Sequence, residues 1–157
     1  MDWKYLKEEI YFSDGSLRDI YVLNTSREDW QKWIDFVNGN YEIEFHYCDH
    51  KGNRLTSKKI ISKYVFNSWD RINDFTNDAT ISIEGVIVKC HFFGEEEIEN
   101  DIDPNEVKTL EDHYLIINYL KSISKILNKE VILTLENYSV KPKGKLIVVD
   151  SDQVFMN

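Results

Sequence analysis

Two long stretches of this 157-residue chain place apolar residues on one helical face, and they lie far apart with strand-like segments around them. In the first, residues 27–38, Trp30, Trp33, Ile34 and Val37 fall on one face. Ser26 or Thr25 can cap it, Glu28 and Asp29 put negative charge in its first turn, and Asn38-Gly39-Asn40 ends it with a glycine suited to a left-handed cap. The second runs from a Thr109 cap to about Asn128, its stripe of Ile116, Leu120, Ile123 and Leu127 widened by Ile117, Tyr119 and Ile126. A chain with two separated helices among many strands folds as α+β, with a mostly antiparallel sheet packed by two helices. No linker divides residues 1–157, so a single domain is expected.

The strands are read from alternation and turn chemistry. Ser13-Asp14-Gly15-Ser16 separates Ile10-Tyr11-Phe12 from Ile20-Tyr21-Val22-Leu23, which predicts a hairpin over residues 1–24. In Tyr41–Cys48 the residues Tyr41, Ile43, Phe45 and Tyr47 share one face, and a turn over residues 49–53 follows. A further strand lies within residues 54–66. Residues 68–77 are either a short helix, with Trp69, Ile72 and Phe75 on one face, or an irregular connection. Ile81–Glu84 and Val86–Phe93 are strands broken at Gly85. Val131–Glu136 and Leu146–Val149 close the chain, with a loop at residues 140–144 between them. The unbroken apolar run of the last strand predicts cover on both faces. The expected order is ββα, several strands, then αββ.

Composition excludes several classes. Hydrophobic residues at 42% can fill a core, which excludes global disorder. No apolar run reaches the roughly 20 residues of a bilayer span, so no membrane partner is expected. The first residues lack the apolar stretch of a secretion signal. Two cysteines make no disulfide framework, which points to the cytoplasm.

Charge is concentrated in one segment. Residues 95–112 hold nine acids and one base, a net of −8 in a chain of −9, so all other residues together carry −1. Such a band is either a solvated loop or a landing site for a cationic partner, since focused negative potential speeds encounter with a basic surface. It argues against direct nucleic-acid binding, which needs clustered Lys and Arg.

Other constellations carry less. His46, Cys48 and His50 at i, i+2, i+4, with His91, are residue types that bind zinc, but His50 falls in the turn and paired C-x-x-C spacing is absent. Asp101-Ile102-Asp103-Pro104-Asn105 begins like a calcium loop, but Glu106 stands where such a loop needs glycine. No nucleophile elbow, phosphate loop, dinucleotide fingerprint or zinc-protease motif occurs, so no enzyme and no cofactor are expected. Cys90 shares a face with Val86 and Val88 and reads as a core thiol. Arg18 and Asp19 read as structural, and Asn137 as a turn former.

Three stretches together carry a resemblance: Tyr11–Val22, with Phe12-Ser13-Asp14-Gly15-Ser16; Cys90–Pro104, with His91-Phe92-Phe93-Gly94-Glu95-Glu96-Glu97; and Leu127–Asn137, with Val131-Ile132-Leu133-Thr134-Leu135. The pattern resembles the immunity-type proteins found beside bacterial polymorphic and contact-dependent toxins. That resemblance implies an acidic, cytoplasmic, non-enzymatic α+β domain that binds and blocks a basic cognate toxin. Glu95, Glu96, Glu97, Glu99, Asp101, Asp103 and Glu106 are the candidate partner-binding residues, with Phe93 as an aromatic anchor beside them. The alternative is a small enzyme or metal-binding protein that uses these carboxylates or His46, Cys48 and His91.

Overall fold

A computed structural model describes residues 1–72, 76–137 and 144–157. In chain order the elements are α1 (Trp3–Glu9), β1 (Arg18–Leu23), α2 (Arg27–Asn40), β2 (Glu42–Cys48), β3 (Arg54–Ser57), α3 (Ser62–Trp69), β4 (Asp78–Ile83), β5 (Val86–Cys90), β6 (Glu97–Ile102), a 3-10 turn (Pro104–Glu106), α4 (Leu110–Leu127), β7 (Val131–Leu135), β8 (Lys145–Asp150) and β9 (Gln153–Met156). The nine strands form one antiparallel sheet in the order β3-β2-β4-β5-β6-β1-β7-β8-β9. The fold is α+β, as expected.

Both anticipated long helices form, and their caps explain where they begin. Ser26 and Asp29 make a reciprocal capping box at α2, and Thr109 and Asp112 make another at α4. Each satisfies two backbone groups that an uncapped first turn would leave bare. Asn128 ends α4 in the left-handed conformation. Gly39 does not perform that role for α2: the helix runs through Asn40 and stops at extended Tyr41.

Alternation builds the core. On β1, β6, β5, β4 and β2, the residues Ile20, Ile98, Ile102, Val88, Ile81, Ile43 and Phe45 point one way, in register, beneath α2 and α4. The helices cover this face of the sheet, and α2 and α4 also pack on each other. The two tryptophans of α2 are core residues, as their spacing predicts. Trp30 meets Trp33, Trp69 and Phe92 at centroid distances of 5.5, 5.0 and 5.7 Å. Cys90 is wholly buried, and burial raises its thiol pKa. It is a core thiol, as expected.

One polar chain crosses this apolar layer. Trp33 Nε1 donates to Tyr119 Oη at 3.2 Å, and Tyr119 donates to Asn100 Oδ1 at 2.6 Å. All three residues are buried, so α2, α4 and β6 are tied through one hydroxyl. Tyr119→Phe removes that oxygen but keeps the ring, leaving Trp33 N–H and Asn100 Oδ1 unpaired. The expected cost is about 2–3 kcal/mol in urea unfolding. A loss below about 0.5 kcal/mol would mean the chain of bonds contributes nothing net.

Several expectations fail for identifiable reasons. There is no N-terminal hairpin. Residues 3–9 are helical, capped by the Asp2 carboxylate on Lys4 N–H. β1 pairs instead with β6 and β7, so long-range pairing displaces the local one. The strand expected within residues 54–66 occupies only Arg54–Ser57, and residues 62–66 instead join 67–69 in α3, which buries Val65 and packs on α2. The described elements therefore include four α-helices, not two, and the order is not ββα–strands–αββ. Leu146 and Val148 are only half-buried, so β8 is not covered on both faces, and an unexpected β9 lies at its side. The expectations for Phe75 and for the loop at residues 140–143 fall outside the described residues.

Candidate functional site

The acidic segment is not a loop. Its middle is β6, a strand in the heart of the sheet, with β5 on one side and β1 on the other. Ile98, Asn100 and Ile102 turn inward, while Glu97, Glu99 and Asp101 project from the face opposite the helices. Alternation sorts the charge: the segment contributes to the core and to an anionic surface at once.

The other carboxylates of the band are partly committed to the fold. Glu95 pairs with Arg27, which also holds Asp70 at the end of α3. The Glu95 carbonyl accepts from Thr25 Oγ1 at 2.7 Å and from Trp30 Nε1 at 3.1 Å. Asp103 caps the 3-10 turn, and Glu106 accepts the Ile87 N–H at 2.7 Å. Asp112 serves the α4 capping box. Among the described residues, the carboxylates of Glu96, Glu97, Glu99 and Asp101 accept from no backbone N–H.

On the outer face the carboxylates crowd. Register places Asp101 opposite Asp19 and Glu99 opposite Tyr21. Tyr21 Oη lies 3.3 Å from Asp19 Oδ2 and 3.4 Å from Glu99 Oε1, so it bridges two acids. Asn137, at φ 64°, donates its N–H to Asp19 at 3.1 Å. Burial, followed by neighbouring negative charge, raises the carboxyl pKa of Glu99. Asp19 and Asp101 are raised as well, with burial the largest cause, although Asn137 N–H opposes it at Asp19 and His91 opposes it at Asp101. The cost of keeping these groups ionised is eased by any cation brought to the face.

Phe93 stands at the end of this surface. β5 stops at Cys90, and Phe92 adopts φ 53°, a left-handed conformation uncommon for a bulky residue. That turn sends Phe92 into the tryptophan cluster, where it is 4% exposed, and Phe93 outward, where it is 73% exposed. Trp69 Nε1 fixes the turn by donating to the Phe92 carbonyl at 2.8 Å. Phe93 stacks on His91, with centroids 5.4 Å apart. Below it lies an open cleft of about 670 Å³, lined by Trp69, Arg71, Leu23 and Glu95, Glu96 and Glu97. The sequence suggested an aromatic beside the charge, but the backbone turn that separates the two phenylalanines left no mark in the residue pattern.

The metal constellation does not assemble. His46 lies on β2 beside Glu44, at 3.2 Å, and His91 follows β5 beside Asp101, at 3.6 Å. β4 runs between them, which sets their strands roughly 10 Å apart. Cys48 is buried at the end of β2. Among the described residues, no three His, Cys, Asp or Glu side chains are grouped to hold a metal ion. Asp101, Asp103 and Asp112 are spread over a strand, a 3-10 turn and a helix start, not one loop.

Arg18 is structural. It is completely buried and donates to the carbonyls of Ile10 (2.7 Å), Phe12 (2.7 Å) and Leu17 (3.0 Å) and to Ser16 Oγ (3.0 Å). Among the described residues, no helix is long and apolar enough to cross a membrane. Comparison with family models, with curated proteins and with solved structures finds no match to this chain.

Proposed function

We propose that this chain is a non-enzymatic binding module that captures a basic protein, in the manner of a bacterial toxin-immunity protein. The observation that carries the reading is Phe93, a large aromatic held out in solvent by a strained turn, at the rim of a cleft lined by glutamates. A left-handed non-glycine residue costs on the order of 1–3 kcal/mol, and such strain gathers at functional sites. The turn seats Phe92 in the core, and the same turn leaves Phe93 out in solvent, where it packs only on His91. Aromatics at the centre of an interface supply much of its affinity, and surrounding charge supplies rate and selectivity.

The working surface is narrower than the whole acidic band. Phe93, Glu96, Glu97, Glu99 and Asp101 meet the partner. Glu95, Asp103 and Glu106 hold the site in shape, because their carboxylates already serve Arg27 or the backbone. The partner offers clustered Lys or Arg, as a nucleic-acid-cleaving toxin domain does. Its association is fast at low salt and slows as salt rises.

The test uses the product of the open reading frame beside the gene as candidate partner. With Glu96, Glu97 and Glu99 changed to Lys, the association rate should fall about tenfold or more and lose most of its salt dependence. Phe93→Ala should act on dissociation, raising it by roughly thirtyfold, as expected for an anchor worth about 2 kcal/mol. If a complex forms and neither set of changes alters it, this surface is not the interface.

A further inference from the structure

A second cavity lies beside α1, away from the acidic face. Its volume is about 810 Å³, within the range of small-molecule sites. Trp3, Tyr11 and Phe12 contribute aromatic surface to one side, and Pro104 and Val107 line another part. The Trp3 and Tyr11 rings stack with centroids 6.3 Å apart and planes within 27°. Buried Arg18 sits 4.4 Å from the centroid of the Phe12 ring and fixes that residue in place.

The charge at this cavity is opposite to that of the chain. Lys4 and Lys7, spaced i and i+3 on α1, share a helix face, and Lys108 joins them from the segment after the 3-10 turn. Glu8 is the one acid among the lining residues. Among the described residues, none of the three ammonium groups lies within 4 Å of a carboxylate. In a protein of net charge −9, this is a local excess of positive charge around aromatic walls.

We propose that this cavity binds a small planar aromatic anion, an aryl carboxylate or a nucleotide, with the ring against the half-buried Trp3 and Phe12, Trp3 being backed by buried Tyr11, and the acid group facing the lysines. Apolar walls with a few convergent polar groups are the usual make-up of such sites. The aromatic surface selects a flat ring, and the lysines reject its neutral counterpart. The site is separate from the Phe93 surface, so either can fail without the other.

The test titrates the intact chain with 2-naphthoate, with adenosine monophosphate, with neutral 2-naphthamide and with inorganic phosphate. Binding is followed through the Trp3 indole N–H resonance. Naphthoate or the nucleotide should shift that resonance saturably. The Lys4→Gln, Lys7→Gln, Lys108→Gln triple variant should weaken this binding about tenfold, with an unchanged circular-dichroism spectrum. Naphthamide should bind more weakly than naphthoate and be indifferent to the triple variant. No shift with either aromatic anion up to about 10 mM would overturn the proposal, since millimolar binding would register there. Equal binding of naphthamide and naphthoate, or phosphate alone binding as well as the nucleotide, would overturn it too.

Discussion

Replacing Arg18 with Met should lower the unfolding free energy by about 3–5 kcal/mol, the largest single-residue loss expected in this protein. The reason lies in what the guanidinium satisfies. Residues 10–17 have no strand partner, so their carbonyls depend on Arg18, which takes those of Ile10, Phe12 and Leu17 together with Ser16 Oγ. A thioether fills the space and satisfies none of them. Lys in place of Arg should recover less than half of the loss, because one ammonium cannot reproduce a planar fork. Amide exchange in residues 3–12 should quicken in both variants, since the loop that holds α1 against the core is the part released. A loss under about 1 kcal/mol with unchanged exchange would show that these carbonyls find other donors.

Acidification should weaken the fold through His113. The imidazole is 2% exposed on α4, and its Nδ1 lies 2.8 Å from Tyr11 Oη. Burial lowers its pKa from 6.5 to about 4. Burial also raises that of Tyr11, so the phenol stays protonated in its hydrogen bond to the neutral ring. A group with a depressed basic pKa binds its proton more readily in the unfolded chain. Its contribution is therefore complete above pH 6.5 and is lost as the pH falls toward 4, amounting to roughly 3 kcal/mol. The raised carboxyls of Asp19, Glu99 and Asp101 act in the opposite sense, since acid relieves their buried charge. The clean measurement is the stability difference between the native chain and His113→Gln across this range. That difference should shrink or change sign as the pH falls. A flat difference would place His113 outside the pH response.

Much of the fold was legible because some signals are local. The α2 and α4 boundaries follow from Ser26, Thr109 and Asn128, whose side chains or backbone settle the ends within a few residues. The turn between β4 and β5 was marked by Gly85, which adopts φ 100° beside Glu84 at 47°. α1 was not legible, since a seven-residue helix that buries only Leu6 has no stripe to show. Asp14-Gly15 gave a true turn with a false partner. Gly15 does take φ 82°, and Asp14 Oδ1 accepts from Ser16 N–H, but the strand after it pairs with distant segments. α3 was obscured by its β-branched and aromatic residues, where packing of Val65 overrode propensity.

The candidate site was half legible. Counting charge found the segment and left it as either a solvated loop or a landing site, without reading the strand in it, although Ile98, Asn100 and Ile102 alternate with Glu97, Glu99 and Asp101 as a half-buried strand should. What sequence could not give was the division of labour among the acids. Whether a carboxylate meets solvent or a backbone N–H depends on neighbours such as Ile87 and Arg27, which lie far away along the chain.

The position of β1 has a kinetic consequence. It is the earliest strand in the sequence, yet both of its neighbours come late, β6 from residue 97 and β7 from residue 131. During synthesis at about 5–20 residues per second, Ile20, Tyr21 and Val22 wait on the order of ten seconds before β7 emerges to flank them. The nascent chain therefore spends that interval with this apolar ribbon incompletely paired, first β6 and then β7 reaching it, and closure of the sheet around β1 comes late.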